Sequence, residues 1–256
     1  MFAPLEPDPE TVPGHIVWFQ PIVAAASGRP LGAEALARTY APDGRIVSAG
    51  GLFTGNQTSG DARLLLDRHT VRRVGAAVRA WTLTGFAPRI NVNISTATIA
   101  RHPDCVLTWF ADERLDLANL TVEITETAPV DDIGAIAAAV ERLRVAGLRI
   151  AIDDFGCGSA TFELLHRVGA DILKIDQRFV QPLIECDRSR RFIGVMVRLA
   201  HELGMHVVAE GVESSRHWNW LTEAGCDAVQ GHAIAMPMSA DALLRWRPSH
   251  TWSPSS

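Results

Sequence analysis

Carboxylate and amide side chains end the apolar segments of this chain. Asp153 and Asp154 are the most informative pair, because adjacent carboxylates repel each other and a buried, unpaired carboxylate is costly. Divalent cations would supply the missing counter-charge, and an all-oxygen ligand set with one amide suits Mg²⁺ or Mn²⁺ better than zinc. The residues near the segment ends are Gln20, Glu34, Asn93, Glu123, Asp153, Asp154, Lys174, Glu210 and Gln230.

These side chains can act together only if the elements that carry them converge. Eight short runs of apolar, often β-branched residues predict strands, and helical patterns separate most of them. This alternation predicts an α/β fold, a (β/α)₈ TIM-like barrel, in which the strand ends meet at one face. An open, doubly wound sheet is the alternative. The predicted strands cover residues 15–23, 31–36, 89–95, 120–126, 149–155, 172–176, 206–213 and 228–235.

One connection breaks the parallel pattern. The first two predicted strands are joined by roughly "AASGRP", which is too short for the crossover that parallel strands require. We therefore expect a hairpin, with strand 1 antiparallel to the rest of the barrel.

Three helical stripes of apolar residues are clear between the strands. The second and third stop at Gly147 and Gly204, as expected for a glycine that ends a helix. The stripes comprise Val71, Val74, Val78 and Trp81; Ile133, Ile136, Ala137, Val140 and Leu143; and Phe192, Val195, Met196, Leu199 and Leu203.

Composition narrows the class of protein. The chain has 256 residues and a formal net charge of −5, which gives no reason to expect binding to a nucleic acid polymer. Its four cysteines form no C-x-x-C pair and are expected to be reduced thiols. The chain has neither a membrane-spanning apolar run nor a signal-peptide pattern, so we expect a cytoplasmic protein without membrane insertion. We expect one domain over residues 14–247, with flexible tails at 1–13 and 248–256.

Seven short motifs occur in order, each near the end of a predicted strand. A single tripeptide of this kind is a weak signal, whereas the ordered set is specific. Together they resemble the signature of EAL-domain cyclic di-GMP phosphodiesterases over residues 16 to 238, and "FQPIV" (19–23) resembles the opening strand of that family. The resemblance implies a barrel with one antiparallel strand. The motifs are "EALAR" (34–38), "NVNIS" (91–95), "EITE" (123–126), "DDFG" (153–156), "LKID" (173–176), "AEGVE" (209–213) and "QG" (230–231).

The resemblance implies two cations at the site, Mg²⁺ or Mn²⁺, with Ca²⁺ expected to inhibit. The first is expected to bind Glu34, Asn93, Glu123 and Asp153. Asp153 is expected to bridge to the second, which would also bind Asp154 and Glu210. Two such cations can activate a water and stabilise both the attacking and the leaving oxygen of a phosphodiester. The implied reaction is hydrolysis of cyclic di-GMP to linear pGpG.

The remaining roles are also implied by the resemblance. Lys174 is expected to hold the attacking water and offset developing charge, and Gln230 to support it. Arg38 and Gln20 are expected to contact substrate. Glu213 is expected to support the ligand side and Glu126 the loop after residues 149–155. A homodimer is implied by analogy, and a regulatory protein partner is left open.

The loop after the paired aspartates departs from the family pattern. The family has "DDFGTGYSSL" where this chain has "DDFGCGSATF". Gly156 and Gly158 are kept, so the backbone can follow the same tight path, but a hydroxyl is lost at position 157 and an aromatic ring at 159. The change concerns turnover and regulation more than metal binding.

Three other functions compete with hydrolysis of cyclic di-GMP. A barrel glycosidase could use Glu123 and Glu210 as its two carboxylates, but it leaves Asn93, the aspartate pair and Lys174 unexplained. A dinucleotide-binding loop at "GCGSAT" lacks the third glycine of that fingerprint. A catalytically weak or inactive EAL module that binds cyclic di-GMP or a protein partner is the alternative that the altered loop favours.

Overall fold

The computed structural model describes residues 14–41, 43–49, 60–125, 133–156 and 161–248. Within these ranges the strands are β1 Ile16–Ala24, β2 Pro30–Tyr40, β3 Ile46–Ser48, β4 Arg89–Asn93, β5 Leu120–Thr125, β6 Arg149–Phe155, β7 Ile172–Ile175, β8 His206–Ala209 and β9 Ala228–Val229. The α-helices are α1 Gly60–Thr82, α2 Thr96–Arg101, α3 Pro103–Asp112, α4 Ile133–Val145, α5 Thr161–Arg167, α6 Gln177–Val180, α7 Asp187–Glu202, α8 Ser215–Glu223 and α9 Ala240–Arg245. Short 3₁₀ turns cover Leu117–Asn119 and Gln181–Ile184.

Eight of these strands close into a barrel. The order around the ring is β1-β9-β8-β7-β6-β5-β4-β2, and β2 pairs with β1 to complete it. Strand β1 is antiparallel to both of its neighbours, whereas the other pairings within the ring are parallel. The predicted barrel and its antiparallel first strand are therefore confirmed.

The last two predicted strands are too long. Strand β8 ends at Ala209 and β9 at Val229, because the chain turns immediately after both. Gly211 has a φ of +68°, in the left-handed region that favours glycine. A Cβ on Gly231 would lie 2.2 Å from the backbone nitrogen of Val212, so only glycine permits this approach of the two segments.

Strand β2 is longer than predicted and carries a hairpin that the sequence did not indicate. Its end pairs antiparallel with β3, from Arg38 opposite Ser48 to Tyr40 opposite Ile46. The β2–β3 hairpin therefore extends the barrel wall at the carboxyl end of β2.

The strands alternate between two environments. On β6, Ile150 and Ile152 face outward into the main apolar core, which the helices cover. Ala151 belongs instead to a small separate apolar cluster with Ile22, Ile172, Val208 and Ala228. Period-two alternation places that cluster inside the barrel, on the same side of each strand as the polar residues at the strand ends.

Two of the three helical stripes are confirmed and one is shifted. Helices α1 and α4 bury the predicted Val74 and Val140. Helix α7 instead buries Ile193, Met196, Val197 and Ala200, while the predicted Phe192, Val195 and Leu203 are 40, 54 and 51% exposed. Its apolar residues include adjacent pairs, such as Phe192 with Ile193, so spacing alone allows two overlapping faces and packing selects one.

The predicted tails lie outside the described residues, apart from Pro248. Among the residues that are described, no helix is long and apolar enough to cross a membrane.

Candidate active site

The inward-facing polar residues meet at the carboxyl ends of the parallel strands. Glu123 on β5 lies in register with Asn93 on β4, and Glu34 on β2 lies opposite Gln20 on the antiparallel β1. Strand pairing therefore assembles residues that are up to about 200 positions apart in the chain at one mouth of the barrel, as expected for this architecture.

Lys174 is the centre of this cluster and the only lysine in the chain. Its side chain is fully buried, and four carboxylates surround its ammonium. The distances from Nζ are 3.2 Å to Glu34 Oε2, 2.8 Å to Glu123 Oε1, 3.1 Å to Asp153 Oδ1 and 2.6 Å to Glu210 Oε1. The predicted carboxylates on β2, β5 and β6 and after β8 are thus brought together around one ammonium group, which β7 carries.

Carboxamides hold the carboxylates in place. Asn93 Nδ2 donates to Glu34 Oε1 at 2.9 Å and to Glu123 Oε2 at 3.0 Å. Gln230 Nε2 donates to Glu34 Oε2 at 2.8 Å and to Gln20 Oε1 at 3.1 Å. Because amide hydrogens bind the charged form of a carboxylate, these bonds help to keep Glu34 ionised.

The pKa values follow burial and the uneven sharing of one positive charge. Burial tends to raise the pKa of Glu34, but the ammonium of Lys174 and the hydrogen bond from Gln230 bring it below its usual value. Burial, together with the charge of Glu34, raises the pKa of Glu123 well above its usual value. Burial likewise raises the pKa of Asp153 and Glu210, against the opposing charge of Lys174. The single ammonium of Lys174 therefore does not neutralise the four carboxylates around it.

The residues present fit divalent cations. Glu34, Glu123 and Asp153 form one group, and Asp153, Asp154 and Glu210 form another, with the ligand atoms of each group within 4.8 Å of one another. A lysine has three N–H donors, fewer than the four carboxylates around it. Among the described residues, the buried oxygens Asp153 Oδ1 and Glu210 Oε1 have no partner other than this shared ammonium. All-oxygen acceptors of this kind suit Mg²⁺ or Mn²⁺.

Asp154 is held in an uncommon backbone conformation. Its φ is +53°, which a non-glycine residue adopts at a cost and which occurs often at functional sites. Burial, the charge of Asp153 and a hydrogen bond with Asp176 raise the pKa of Asp154 to about 7. Asp176 itself is held by the backbone N–H of Arg178, at 2.7 Å, where it caps helix α6.

A cleft of about 450 Å³ opens above the cluster. Gln20, Arg38 and Glu213 line it, together with Ser48 of the unpredicted β3. Arg38 donates to the carbonyl of Ala37 at 3.1 Å. Glu213 is exposed and accepts from Gln181 Nε2 at 2.9 Å, so it lies at the rim and not among the buried carboxylates.

The loop after β6 is described only at its beginning. Gly156 has a φ of +98°, and a Cβ there would lie 2.7 Å from Phe179 Cε2, so glycine is required. The predicted roles of Glu126 and Gly158 fall on positions outside the described residues.

Sequence reasoning overlooked three features of the site. Asn91 donates to Glu123 Oε1 at 2.8 Å, and its position two residues before Asn93 places both on one face of β4. Asp176 ends the "LKID" motif and touches Asp154. The third feature is that Lys174 is the only lysine among the 24 lysine and arginine residues of the chain, a signal that could have marked it.

The geometry also bears on the glycosidase alternative. Glu123 is fully buried beneath the other carboxylates and bonded to both Asn91 and Asn93. A glycosidase needs both carboxyl groups to reach the sugar, which Glu123 does not do here.

Two curated relatives match most of this chain. The bifunctional diguanylate cyclase/cyclic di-GMP phosphodiesterase MucR of Pseudomonas aeruginosa is 30% identical, over 90% of this chain and 34% of the relative. The cyclic di-GMP phosphodiesterase NbdA of the same organism is 31% identical, over 88% of this chain and 29% of the relative. The chain thus spans about a third of the length of these curated relatives.

Two solved structures have a fold similar to that of this chain. The phosphodiesterase PaMucR in complex with c-di-GMP has a TM-score of 0.81 at 30% identity, covering 90% of this chain and 94% of that one. The manganese/cy-diGMP complex of Klebsiella pneumoniae BlrP1 has a TM-score of 0.75 at 28% identity, covering 89% of this chain and 57% of that one. The sequence profile of the EAL domain matches residues 14–237. The chain therefore belongs to the EAL domain family.

Proposed function

We propose that this chain hydrolyses cyclic di-GMP to linear pGpG with two divalent cations. The observation that carries the proposal is the pair of carboxylate groups that share Asp153 at the barrel mouth. Glu34, Asn93, Glu123 and Asp153 would hold one cation, and Asp153, Asp154 and Glu210 the other. When bound, the cations supply the positive charge that favours attack by water on a phosphodiester.

The protein's own residues have separate tasks in this proposal. Arg38, at the rim of the cleft, would bind a phosphate of the substrate through its fork of donors. Gln20 would contact the substrate, and Glu213 would support it from the opposite rim. Lys174 would offset negative charge beside the attacking water, as a compact point charge. Gln230 would keep Glu34 oriented through its 2.8 Å hydrogen bond.

The experiment is product analysis by chromatography after incubation with cyclic di-GMP. We expect pGpG with Mg²⁺ or Mn²⁺, inhibition by Ca²⁺ and no turnover after cation removal. Asp153→Asn should lower turnover about a hundredfold or more, since even partners that only support metal ligands are worth about 10–100-fold. The matched control, Asp241→Asn on the exposed face of helix α9, should leave it unchanged. If cyclic di-GMP binds but no pGpG forms, the chain is a receptor and the hydrolase proposal is wrong.

We further propose a homodimer in the cytoplasm, by analogy with the family. Phe162 on helix α5, after the altered loop, supports an interface because its ring is 71% exposed while packing edge-on against Phe155. Sedimentation of the wild type and of Phe162→Asp would test this. A monomeric wild type at assay concentration would contradict it.

A further inference from the structure

A second cleft lies at the opposite end of the barrel from the acidic cluster. Its volume is about 770 Å³, which is larger than the cleft above the carboxylates and within the range of small-molecule sites. Its walls include the first residues of several parallel strands, among them Arg89 of β4, Arg149 of β6 and His206 of β8. It shares one side chain with the proposed phosphodiesterase site, Asn91, which lines this cleft and donates to Glu123.

Small inward-facing residues leave this space open. TIM-like barrels usually fill their interior with layers of bulky side chains. Here the lining includes Gly32, Thr121 and Ala228. Gly32 has no alternative, because a Cβ at this position would lie 2.5 Å from the carbonyl oxygen of Arg89. Bulkier Ile22, Ile172 and Val208 also line the cleft, so the small residues open the space beside them.

Three arginines line the opening of this cleft. Arg89 and Arg149 begin the two strands that flank β5, and Arg29 immediately precedes β2. Among the described residues, no hydrogen bond or ion pair within 4.0 Å involves any of these three guanidinium groups. Burial, followed by the like charge of Arg89, lowers the pKa of Arg149. The carboxylate of Asp171 opposes this effect, although among the described residues it forms no ion pair within 4.0 Å of Arg149.

The acidic residues of the cleft are already engaged elsewhere. Asp171 Oδ2 accepts the backbone N–H of Ile150 at 2.8 Å, and its other oxygen lies 3.8 Å from Arg144. Asp227 accepts the backbone N–H of Val207 at 2.7 Å and bonds His201 at 3.0 Å. Among the described residues, neither carboxylate forms an ion pair with the three arginines, although the charge of Asp171 acts on Arg149 at longer range. A directly paired anion for these guanidinium groups would therefore come from outside the chain.

We propose that this cleft binds a small, multiply charged phosphate compound, either an inorganic polyphosphate or a nucleotide, through Arg29, Arg89 and Arg149. The planar fork of arginine matches phosphate oxygens two at a time. A ligand with adjacent phosphates would bridge Arg89 and Arg149 and offer an anionic partner to each of the three guanidinium groups. The proposal does not depend on the phosphodiesterase function.

Calorimetric titration of the purified chain with pyrophosphate, ADP and citrate tests this assignment. The buffer should be free of divalent cations, so that the acidic cluster repels the same anions. The test variant is Arg89→Gln/Arg149→Gln, and Arg89→Lys/Arg149→Lys keeps the charge without the fork. Arg101→Gln, an exposed arginine at the end of helix α2, is the matched control. Thermal melting of each variant confirms that it is folded.

We expect saturable binding of pyrophosphate or ADP at about 0.15 M salt, where screening suppresses diffuse attraction. The glutamine variant should bind about tenfold more weakly or worse, the lysine variant less so, and the control as the wild type. Stronger binding of ADP than of pyrophosphate identifies a nucleotide site, and the reverse identifies a polyphosphate site. Absence of saturable binding, equal binding of citrate, or unchanged affinity in a folded glutamine variant would overturn the proposal.

Discussion

Replacement of Lys174 by methionine is the most direct test of how the acidic cluster is held together. Methionine keeps much of the volume of the side chain and removes its charge. Four carboxylate oxygens lie 2.6–3.2 Å from Nζ, and their side chains are between 0 and 19% exposed. At an effective dielectric constant of about 20, each pair at such distances is worth about 5–6 kcal/mol before desolvation.

The net loss is smaller than the sum of these pairs. The carboxylates can take up protons once the ammonium is gone, and the pKa values of Glu123, Asp153 and Glu210 are raised by burial already. Breaking a buried ionic arrangement by removing one partner typically costs about 3–5 kcal/mol. For a domain of this size, that corresponds to a fall in melting temperature of about 6–20 °C.

The assay is thermal melting, followed by tryptophan fluorescence, in buffer free of divalent cations and again with Mg²⁺. We expect Mg²⁺ to raise the melting temperature of Lys174→Met more than that of the wild type, because cations then replace the missing charge. Arg142→Met is the control, since it removes an exposed ion pair with Asp104 that is worth less than about 1 kcal/mol. Melting of Lys174→Met within the range of this control, without Mg²⁺, would refute the reasoning.

Three further predictions test single contacts. Gly156→Ala should destabilise the fold by about 1–3 kcal/mol, because its φ is +98° and the new Cβ meets Phe179. In thermal melting, adding Phe179→Leu should restore only the stability lost to the steric clash, and not the part lost to the backbone conformation. Asn91→Ala should weaken Mg²⁺ binding about tenfold by freeing Glu123, as measured by calorimetry, and an unchanged affinity would exclude this support. Burial, followed by nearby positive groups, lowers the pKa of His15 from 6.5 to about 4, so the folded state excludes a proton that the unfolded chain binds. Its contribution is complete above pH 6.5 and should fall by about 2 kcal/mol by about pH 5, which denaturation of the wild type and His15→Asn at both pH values would reveal.

Much of the site could be predicted from local patterns. Asp153, Lys174 and Glu210 each follow an apolar, β-branched run, and this arrangement places them at the carboxyl ends of strands. The short link before β2 also predicted the antiparallel first strand, because a parallel crossover cannot be made with so few residues. Asn91 could have been found in the same way, since period-two alternation places it on the face of Asn93.

Other features depend on contacts that spacing cannot encode. Gly231 packs against the backbone of Val212 just beyond the ends of β8 and β9, a contact that strand periodicity does not predict. The buried face of helix α7 was ambiguous because its apolar residues are adjacent in the sequence and allow two overlapping stripes. The hairpin of β3 has three residues and no strong alternating pattern, so its pairing with β2 became evident only in three dimensions.

The sequence by itself determined the barrel, its one reversed strand and which residues face the carboxyl end, because strand periodicity and loop length are local properties. Tertiary structure decided that four distant carboxylates share the single ammonium of Lys174, since that depends on strand register around the closed ring. It also decided that Arg29, Arg89 and Arg149 line one cleft at the other end. Both charge arrangements arise from ring closure, which brings strands together irrespective of their separation in the chain.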